Sequence, residues 1–226
     1  GAPLVPTFHA VAFQRPHSSM AVLNIGGIAN LTLIPPDGPV RGFDCGPGNA
    51  LLDEWCLQHI GSRYDEQGRW AAGGRALPTL LASLMSEPFL DRAPPKSTGR
   101  DLFNASWLKT HLDAHAAGAN PQDVQTTLAE FTARASCEAL NAYQPDATEL
   151  LVCGGGAMNL HLMHRLAALA PNAHVQTTDA FGVPAMQVEA AAFAWLARAF
   201  VERLPGNRPE VTGASGPRVL GSLYPA

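Results

Sequence analysis

The sequence is poor in charged residues, and this shortage limits the partners that the protein can bind. Charged residues make up 15% of the 226 residues, the formal net charge is −4, and no run of Lys or Arg occurs. Nucleic acids and anionic membranes are bound by clustered basic residues, so neither is expected as a partner. No apolar stretch is long and uninterrupted enough to span a bilayer. The hydrophobic content of 46% instead predicts a globular protein.

Cysteine is also scarce, and no CxxC pair is present. The four cysteines are Cys45, Cys56, Cys137 and Cys153, all in apolar or helical surroundings. Isolated cysteines of this kind are typical of reduced structural thiols rather than of metal sites or disulfides. We therefore expect the protein in the cytoplasm.

Glycine, in contrast, is frequent, and several glycines are concentrated in residues 22–49. Gly26 and Gly27 follow one short apolar run, and a second glycine turn at residues 46–48 follows Asp44 and precedes a predicted helix. Glycine turns after strands let backbone N–H groups approach a ligand, and a helix N-terminus favours an anion. An acidic side chain beside such a cradle is a candidate general base. The alternative is a glycine-rich β-meander with a solvated Asp44.

The order of the predicted elements indicates the fold class. Short apolar runs at residues 21–24, 31–34 and 40–43 fit an antiparallel meander. Later elements are predicted as helices at 49–60, 77–85, 101–114, 121–143, from 158 and at 184–203, and as strands at 149–153 and 173–177. Residues 1–19 are predicted as a loop with a short helical or extended piece, and the tail after 203 as largely irregular. The pattern β-β-β-α-β-α-β-α, with a helical insertion at about 61–120, predicts an α/β ribonuclease H-like mixed sheet with helices on both faces.

Six segments spread over nearly the whole chain carry more specific information. They are NIGGIANLT at 24–32, GFDCGPGNALLDEW at 42–55, PPKSTGRDLFN at 94–104, DVQTTLAEFTA at 123–133, CGGGAMN at 153–159 and VTGA at 211–214. Together, and in this order, they resemble the anhydro-N-acetylmuramic acid kinase family, part of the superfamily of sugar kinases, heat-shock ATPases and actin.

The resemblance implies a carbohydrate kinase that uses ATP and Mg²⁺ in peptidoglycan recycling. Such an enzyme opens the anhydro ring of 1,6-anhydro-N-acetylmuramic acid by hydrolysis and phosphorylates the freed oxygen, which gives N-acetylmuramic acid 6-phosphate. It also implies that Asp44, in GFDCGPGN, is the catalytic base. The family's N-terminal half carries a glycine-rich motif for the ATP phosphates, and no such motif is found here. Residues 1–226 thus resemble the C-terminal lobe, and we expect the N-terminal lobe to be absent from this chain.

The candidate nucleotide-binding residues lie in the two glycine junctions. Gly26, Gly27 and Asn30 at the first junction are interpreted as a phosphate loop; Gly154, Gly155, Gly156 and Asn159 at the second are assigned to the adenosine end. A tight turn with positive φ is the structural alternative at the first junction. Glycine required for helix packing is the alternative for one of the three at the second.

The candidate sugar-binding residues are four polar side chains in the proline-rich segment PPKSTGR: Lys96, Ser97, Thr98 and Arg100. Proline-rigid irregular loops often carry function, and a cationic side chain would suit the lactyl carboxylate of the substrate. Solvated surface charge is the alternative for Lys96 and for Arg100.

Two further carboxylates are candidates for catalytic groups. Glu189 is the only charged residue in an apolar helical stretch, residues 185–196, where a carboxylate without a partner is costly. We predict that Glu189 polarises the attacking water or reaches Mg²⁺ through water, with simple solvent exposure as the alternative. Asp53 lies inside a predicted helix and is interpreted as a structural partner. No direct metal ligand is assigned.

Two other functions remain open on the sequence. One is another carbohydrate kinase or a phosphatase of the same superfamily, although this does not account for PPKSTGR. The other is a non-enzymatic nucleotide-binding module, which would account for the phosphate motif that is not found. The expected partners are ATP and an anhydro amino sugar, and a homodimer is left open.

Overall fold

A five-stranded mixed sheet forms the centre of the computed structural model, which describes residues 4–224. In spatial order the strands are β3 (Arg41–Pro47), β2 (Ile28–Ile34), β1 (Met20–Ile25), β4 (Glu149–Cys153) and β5 (His174–Thr177). The first three pair antiparallel, whereas β4 and β5 extend the sheet parallel to β1. This topology confirms the predicted ribonuclease H-like sheet.

Helices cover the sheet and build a second layer of structure beside it. Those in the described residues are α1 (Val5–Phe13), α2 (Ala50–Ile60), α3 (Arg69–Ala72), α4 (Pro78–Met85), α5 (Ala105–His115), α6 (Pro121–Tyr143), α7 (Leu160–Leu169), α8 (Val188–Val201) and α9 (Pro209–Thr212). Local sequence accounts for several ends. Asn120 caps α6 by accepting a hydrogen bond from the Gln122 amide, and Gly61, at φ +68°, ends α2.

Adjacent residues of β3 show that helices lie on both faces of the sheet. A Cβ on Gly42 would collide with Pro6 of α1, whereas the ring of its neighbour Phe43 packs edge-on against Tyr143 of α6, with centroids 5.2 Å apart. Side chains of successive strand residues point to opposite faces. Helices α1 and α6 therefore cover opposite faces, as the sequence predicted.

A second hydrophobic core lies outside the sheet, around the N-terminal half of α6. Leu80 of α4, Leu108 of α5 and Phe131 of α6 are buried in it, together with Leu51 and Leu52 of α2. The predicted helical insertion at 61–120 thus packs onto α2 and α6 rather than standing apart. Because α6 contributes to both cores, it joins the insertion to the sheet.

The structure differs from the sequence prediction most clearly before β1, at the start of the last helix and in the tail. The segment before β1 contains a regular helix, α1, which is buried against β2 and α8. The last helix begins at Val188 instead of residue 184, because residues 184–187 form a turn. In the tail, the Arg218 amide donates to Oδ1 of Asn207 over 2.6 Å, and Val211 of α9 is buried near Gly42, so part of the tail is ordered against β3.

The fold contains one buried histidine whose protonation should control stability in acid. His9 of α1 is fully buried, and its Nδ1 lies 2.8 Å from the hydroxyl of Thr32 on β2, while Nε2 has no partner in the described residues. Burial lowers the pKa of His9 to about 3. The unfolded chain, with its ordinary histidine pKa, binds this proton first, so stability falls as the pH drops below about 6.5.

We expect the free energy of unfolding to fall by about 2 kcal/mol between pH 7 and pH 5 because of His9 alone. Urea unfolding at both pH values measures this drop. The variant His9→Gln, although less stable at pH 7, should lose most of the pH-dependent part, whereas the exposed His115→Gln should keep it. Equal pH dependence in the wild type and in His9→Gln would exclude this role for His9.

Candidate active site

The glycine turns after β1 (residues 26–27) and after β4 (residues 154–156) are the two glycine junctions. They lie side by side at the end of the sheet where these two strands finish. Strands β1 and β4 run parallel, with Asn24 paired to Cys153, so the turns that follow both strands leave the sheet at the same end. The Gly154 backbone is in close contact with β1, because a Cβ there would lie 2.6 Å from Oδ1 of Asn24. Carboxyl ends of neighbouring strands in α/β sheets are common ligand sites.

The turn between β3 and α2 closes onto the first glycine junction. The Gly48 amide donates to the Gly27 carbonyl over 2.9 Å, and the Asn49 amide donates to the Gly26 carbonyl over 2.7 Å. The side-chain amide of Asn49 also donates to the Ile25 carbonyl over 3.1 Å. These bonds place the N-terminus of α2 beside the glycine turn, where the helix dipole favours a bound anion. The amides of Asn49 and Ala50 are themselves used in bonds to the Gly26 and Gly27 carbonyls.

Asp44 lies on β3 next to this cradle. It pairs with Asn30 of β2 beside a register shift, it is 9% exposed, and its Oδ2 accepts a hydrogen bond from the Thr98 amide over 2.9 Å. The other carboxylate oxygen accepts no hydrogen bond within residues 4–224. Burial raises the pKa of Asp44, and the Thr98 hydrogen bond opposes this shift. A partly desolvated carboxylate with one oxygen available is well suited to take a proton.

Residues 94–100, which we call the 94–100 loop, run along the outer edge of β3. The Asp44 amide donates to the Lys96 carbonyl over 3.2 Å, so a backbone hydrogen bond joins the loop to β3 at this point. Arg100, farther along, lies over the first glycine turn, since a Cβ on Gly27 would be 3.6 Å from its Nη2. The loop therefore connects the Asp44 carboxylate with the anion cradle.

The four predicted sugar-binding residues of this loop are placed differently. Lys96 turns inward, and its ammonium donates to the carbonyls of Leu90 and Phe89 over 2.7 and 3.3 Å. Ser97 is exposed, and Thr98 reaches Asp44 through its backbone. A sugar contact stays a prediction for all four, and the internal bonds of Lys96 favour a different role for that residue.

The second glycine junction borders a cavity of about 500 Å³. The cavity is lined by Asn49, Leu52, Asp53, Tyr64, Asp65, Glu66, Gln67, Gly155, Met158, Asn159 and Met186. Only Gly155 of the three glycines faces it. Gly154 and Gly156 pack against Ile25 of β1, and Gly154 adopts φ +79°, which favours glycine.

Asn159 has both a structural role and a position at the cavity. Its Oδ1 accepts a hydrogen bond from the Leu162 amide over 2.9 Å and so caps α7. Its side-chain nitrogen makes no hydrogen bond within the part of the chain that the structure describes. Asn30, at the first junction, likewise has no side-chain hydrogen bond among those residues. Both amides are therefore available to a ligand, and nucleotide binding by them stays a prediction.

Asp53, which the sequence pattern favours as a structural partner, has a position that the sequence did not predict. It lies in the first turn of α2, in the wall of the cavity, and burial raises its pKa to about 6 although Arg100 opposes the shift. The other wall residues missed were those of the 64–67 turn and the exposed Met158 and Met186. Their segments have only the sequence pattern of polar turns or helix ends, so no motif identifies these residues as part of a binding site.

Glu189 lies exposed in the first turn of α8. The turn that leads into α8 contacts the second junction, because the Gly154 amide donates to the Ala185 carbonyl over 3.0 Å. This brings the start of α8 near the cavity but does not test the catalytic role, which stays a prediction for Glu189.

Three further features of the described residues concern the requirements for a metal cluster, a reactive thiol and a membrane-spanning helix. Within residues 4–224, no group of three or more His, Cys, Asp or Glu could hold a metal ion. All four cysteines are unpaired and buried, and burial raises the pKa of each thiol to about 12. None of the helices in this part of the chain combines the length and apolar character needed to cross a membrane.

Comparison with known proteins identifies relatives over the whole chain. Residues 1–226 match the model of the anhydro-N-acetylmuramic acid kinase family. Proteins named anhydro-N-acetylmuramic acid kinase from Bordetella petrii and Pseudomonas paraeruginosa are 58% and 54% identical over 228 and 226 residues. Each match covers 100% of this chain but only 60% and 62% of the relative. The chain thus spans about three fifths of the length of these relatives.

A solved structure supports the fold independently of close sequence similarity. The activator of 2-hydroxyisocaproyl-CoA dehydratase from Clostridium difficile, with bound ADPNP, aligns with 88% of this chain and 68% of its own, at a TM-score of 0.53 and 15% identity. This likeness concerns the fold alone. The family match and the curated relatives show that the chain belongs to the anhydro-N-acetylmuramic acid kinase family.

Proposed function

We propose that this chain supplies the catalytic base and part of the nucleotide and sugar sites of an ATP-dependent kinase. The reaction is the hydrolytic opening of 1,6-anhydro-N-acetylmuramic acid and its phosphorylation to N-acetylmuramic acid 6-phosphate, a step of peptidoglycan recycling. The observation that carries the proposal is the position of Asp44, with one carboxylate oxygen held by Thr98 and the other available, beside the anion cradle. Membership in the family supports the substrate.

The proposed chemistry begins with water at the anomeric carbon. Asp44 takes a proton as the water oxygen bonds to C1, and the bond between C1 and the bridging O6 breaks with its electron pair going to O6. The freed O6 attacks the γ-phosphorus, and the bond between that phosphorus and the bridging oxygen of ADP breaks. Both steps require alignment and charge stabilisation more than a covalent intermediate with the protein.

Three observations support a site for the ATP phosphates at the first glycine junction. The Gly26 and Gly27 backbone has no side chains to hold an anion away, the N-terminus of α2 points to it, and the Arg100 guanidinium lies over Gly27. Mg²⁺ is usually bound by phosphate oxygens, water and one or two carboxylates. We propose that Mg²⁺ would be held mainly by the phosphate oxygens of ATP, whose charge it would neutralise, since residues 4–224 contain no group of three or more possible protein ligands.

The adenosine end fits the cavity next to Gly155. A volume of about 500 Å³ is in the range of small-molecule sites. Its wall combines the apolar Met158 and Met186, which suit a flat base, with the polar side chains of Asn159 and Asp53, which suit hydroxyl groups. The exposed backbone of Gly155 would let the nucleotide approach closely.

A cytoplasmic location is part of the proposal, because four buried unpaired thiols fit a reducing compartment. Glu189 is proposed to orient the attacking water from the start of α8. Arg100 and Thr98, both in the 94–100 loop, are proposed to contact the sugar or the phosphates. A second, N-terminal lobe would complete the phosphate cradle, since the chain spans about three fifths of its relatives.

The first test is Asp44→Asn, assayed with ATP and the anhydro sugar in the longest natural form of the protein that carries this chain. The amide keeps the size of the side chain but cannot take the proton, so kcat should fall by about 10³-fold or more, while the affinity for ATP changes little. The matched control is Asp37→Asn in the exposed β2–β3 turn, which should retain full activity. Near-normal turnover of Asp44→Asn would remove the base from the proposal.

The second test separates ligand contact from packing at the second glycine junction. Gly155→Val should abolish most nucleotide binding with little loss of thermal stability, because Gly155 is exposed at the cavity and a Cβ there would meet only Nδ2 of Asn49, at 3.3 Å.

Gly154→Ala is the matched control for this test. It should instead lower stability by about 1–3 kcal/mol, since the residue has positive φ and a Cβ would lie 2.8 Å from the Ile25 carbonyl oxygen. Nucleotide affinity and the thermal midpoint are measured for both variants. If Gly155→Val keeps wild-type nucleotide affinity, the cavity is not the adenosine site.

A further inference from the structure

The side chain of Lys96 makes an unusual set of contacts for a residue in an irregular loop. Its Nζ donates to the Leu90 carbonyl over 2.7 Å and to the Phe89 carbonyl over 3.3 Å, and it lies 4.9 Å from the centroid of the Phe89 ring. The centroid of the Phe43 ring on β3 lies 5.9 Å from the same Nζ. Lys96 is therefore held between the turn after α4 and strand β3, and burial lowers its pKa.

The carbonyls that Lys96 contacts belong to a turn fixed in the second hydrophobic core. Phe89 is 2% exposed and packs edge-on against Phe103, with ring centroids 6.1 Å apart. The turn is closed by the Leu90 amide, which donates to the Glu87 carbonyl over 3.0 Å. Since this turn is anchored independently of the sheet, it is a rigid support for a side chain that reaches it from the 94–100 loop.

The backbone of the same lysine touches the candidate base. The Asp44 amide donates to the Lys96 carbonyl over 3.2 Å, and two residues later the Thr98 amide donates to Oδ2 of Asp44 over 2.9 Å. These two bonds bracket Asp44 between positions 96 and 98. The position of the Thr98 amide thus depends on where the loop is held at Lys96.

We propose that Lys96 is a positioning residue for Asp44: its ammonium ties the 94–100 loop to the Phe89–Leu90 turn and thereby holds the Thr98 amide against the carboxylate. This inference rests on the proposed function of Asp44 as the base. It replaces a direct sugar contact for Lys96, because the ammonium already donates to two carbonyls of the protein.

Release of the loop would affect catalysis through the pKa of the Asp44 carboxyl group. Burial raises the pKa of this carboxyl, and the Thr98 hydrogen bond lowers it. If the loop is released, the carboxylate loses the bond that opposes desolvation, so its pKa rises. The group must be ionised to act as a base, and the acid limb of the kcat/KM profile then moves to higher pH.

The test uses Lys96→Met, which keeps the length of the side chain but has no donor, and Lys96→Arg, which keeps a cation with several donors. Arg92→Met is the matched control, because Arg92 is an exposed cation near the same Phe89 ring, 6.0 Å from its centroid, and its side chain donates to neither carbonyl. Its backbone amide donates to the Phe89 carbonyl over 3.2 Å, and the substitution keeps this bond. All are made in the longest natural form of the protein. Hydrogen exchange of the segment 96–98 and kinetics against pH are measured for each.

For Lys96→Met we expect the amide exchange of this segment to become at least about tenfold faster. The acid limb should move up by about one pH unit, and kcat should fall about tenfold with KM for the anhydro sugar changed less than about twofold. Lys96→Arg should recover most of each effect, and Arg92→Met should resemble the wild type.

Three results would overturn the inference. In Lys96→Met, unchanged exchange of residues 96–98 would show that Lys96 does not hold the loop, and faster exchange with an unmoved acid limb would show that the loop does not act on Asp44. A large rise in KM for the sugar with an unmoved acid limb would restore a direct substrate contact. Failure of the proposed function is detected separately, by full activity of Asp44→Asn, and leaves the exchange result valid.

Discussion

The parallel pairing of β1 with β4 is the constraint on which the candidate active site depends. It places the two glycine junctions beside each other, and the turn before α2 then bonds to the first of them through Gly48 and Asn49. Moving either strand by one residue would exchange the faces of its side chains and separate the two turns. The anion cradle, the cavity and the approach to Asp44 are therefore consequences of one register.

Much of this arrangement could be predicted from sequence because its signals are local. The helix α6 was predicted at its observed bounds, since Asn120 and Pro121 are strong start signals and good helix formers follow. The glycine junctions and Asp44 could be located because strand, glycine and acid occur consecutively along the chain. The fold class followed from the order of the predicted strands and helices along the chain, which allows few topologies.

What could not be predicted depends on contacts between distant residues. Gly154, Gly155 and Gly156 are identical in type, and only the position of Ile25 on β1 decides which of them can face a ligand. From the sequence alone, Lys96 cannot be distinguished from an exposed cation. Only the structure shows that its ammonium donates to the Phe89 and Leu90 carbonyls. The cavity wall at residues 64–67 belongs to the insertion, whose packing on α2 has no sequence motif.

The electrostatics of the described site follow from the same packing. Burial raises the pKa values of both Asp44 and Asp53, and the Thr98 hydrogen bond and the Arg100 charge respectively oppose these shifts. Arg100 acts on Asp53 and lies over Gly27, between one acidic group and the proposed phosphate position. A phosphate at Gly27 would therefore meet backbone N–H groups and the helix N-terminus as its main partners, with a single guanidinium beside them. Such fixed dipoles need little reorganisation when charge develops on the transferring group, which is the property that phosphoryl transfer requires.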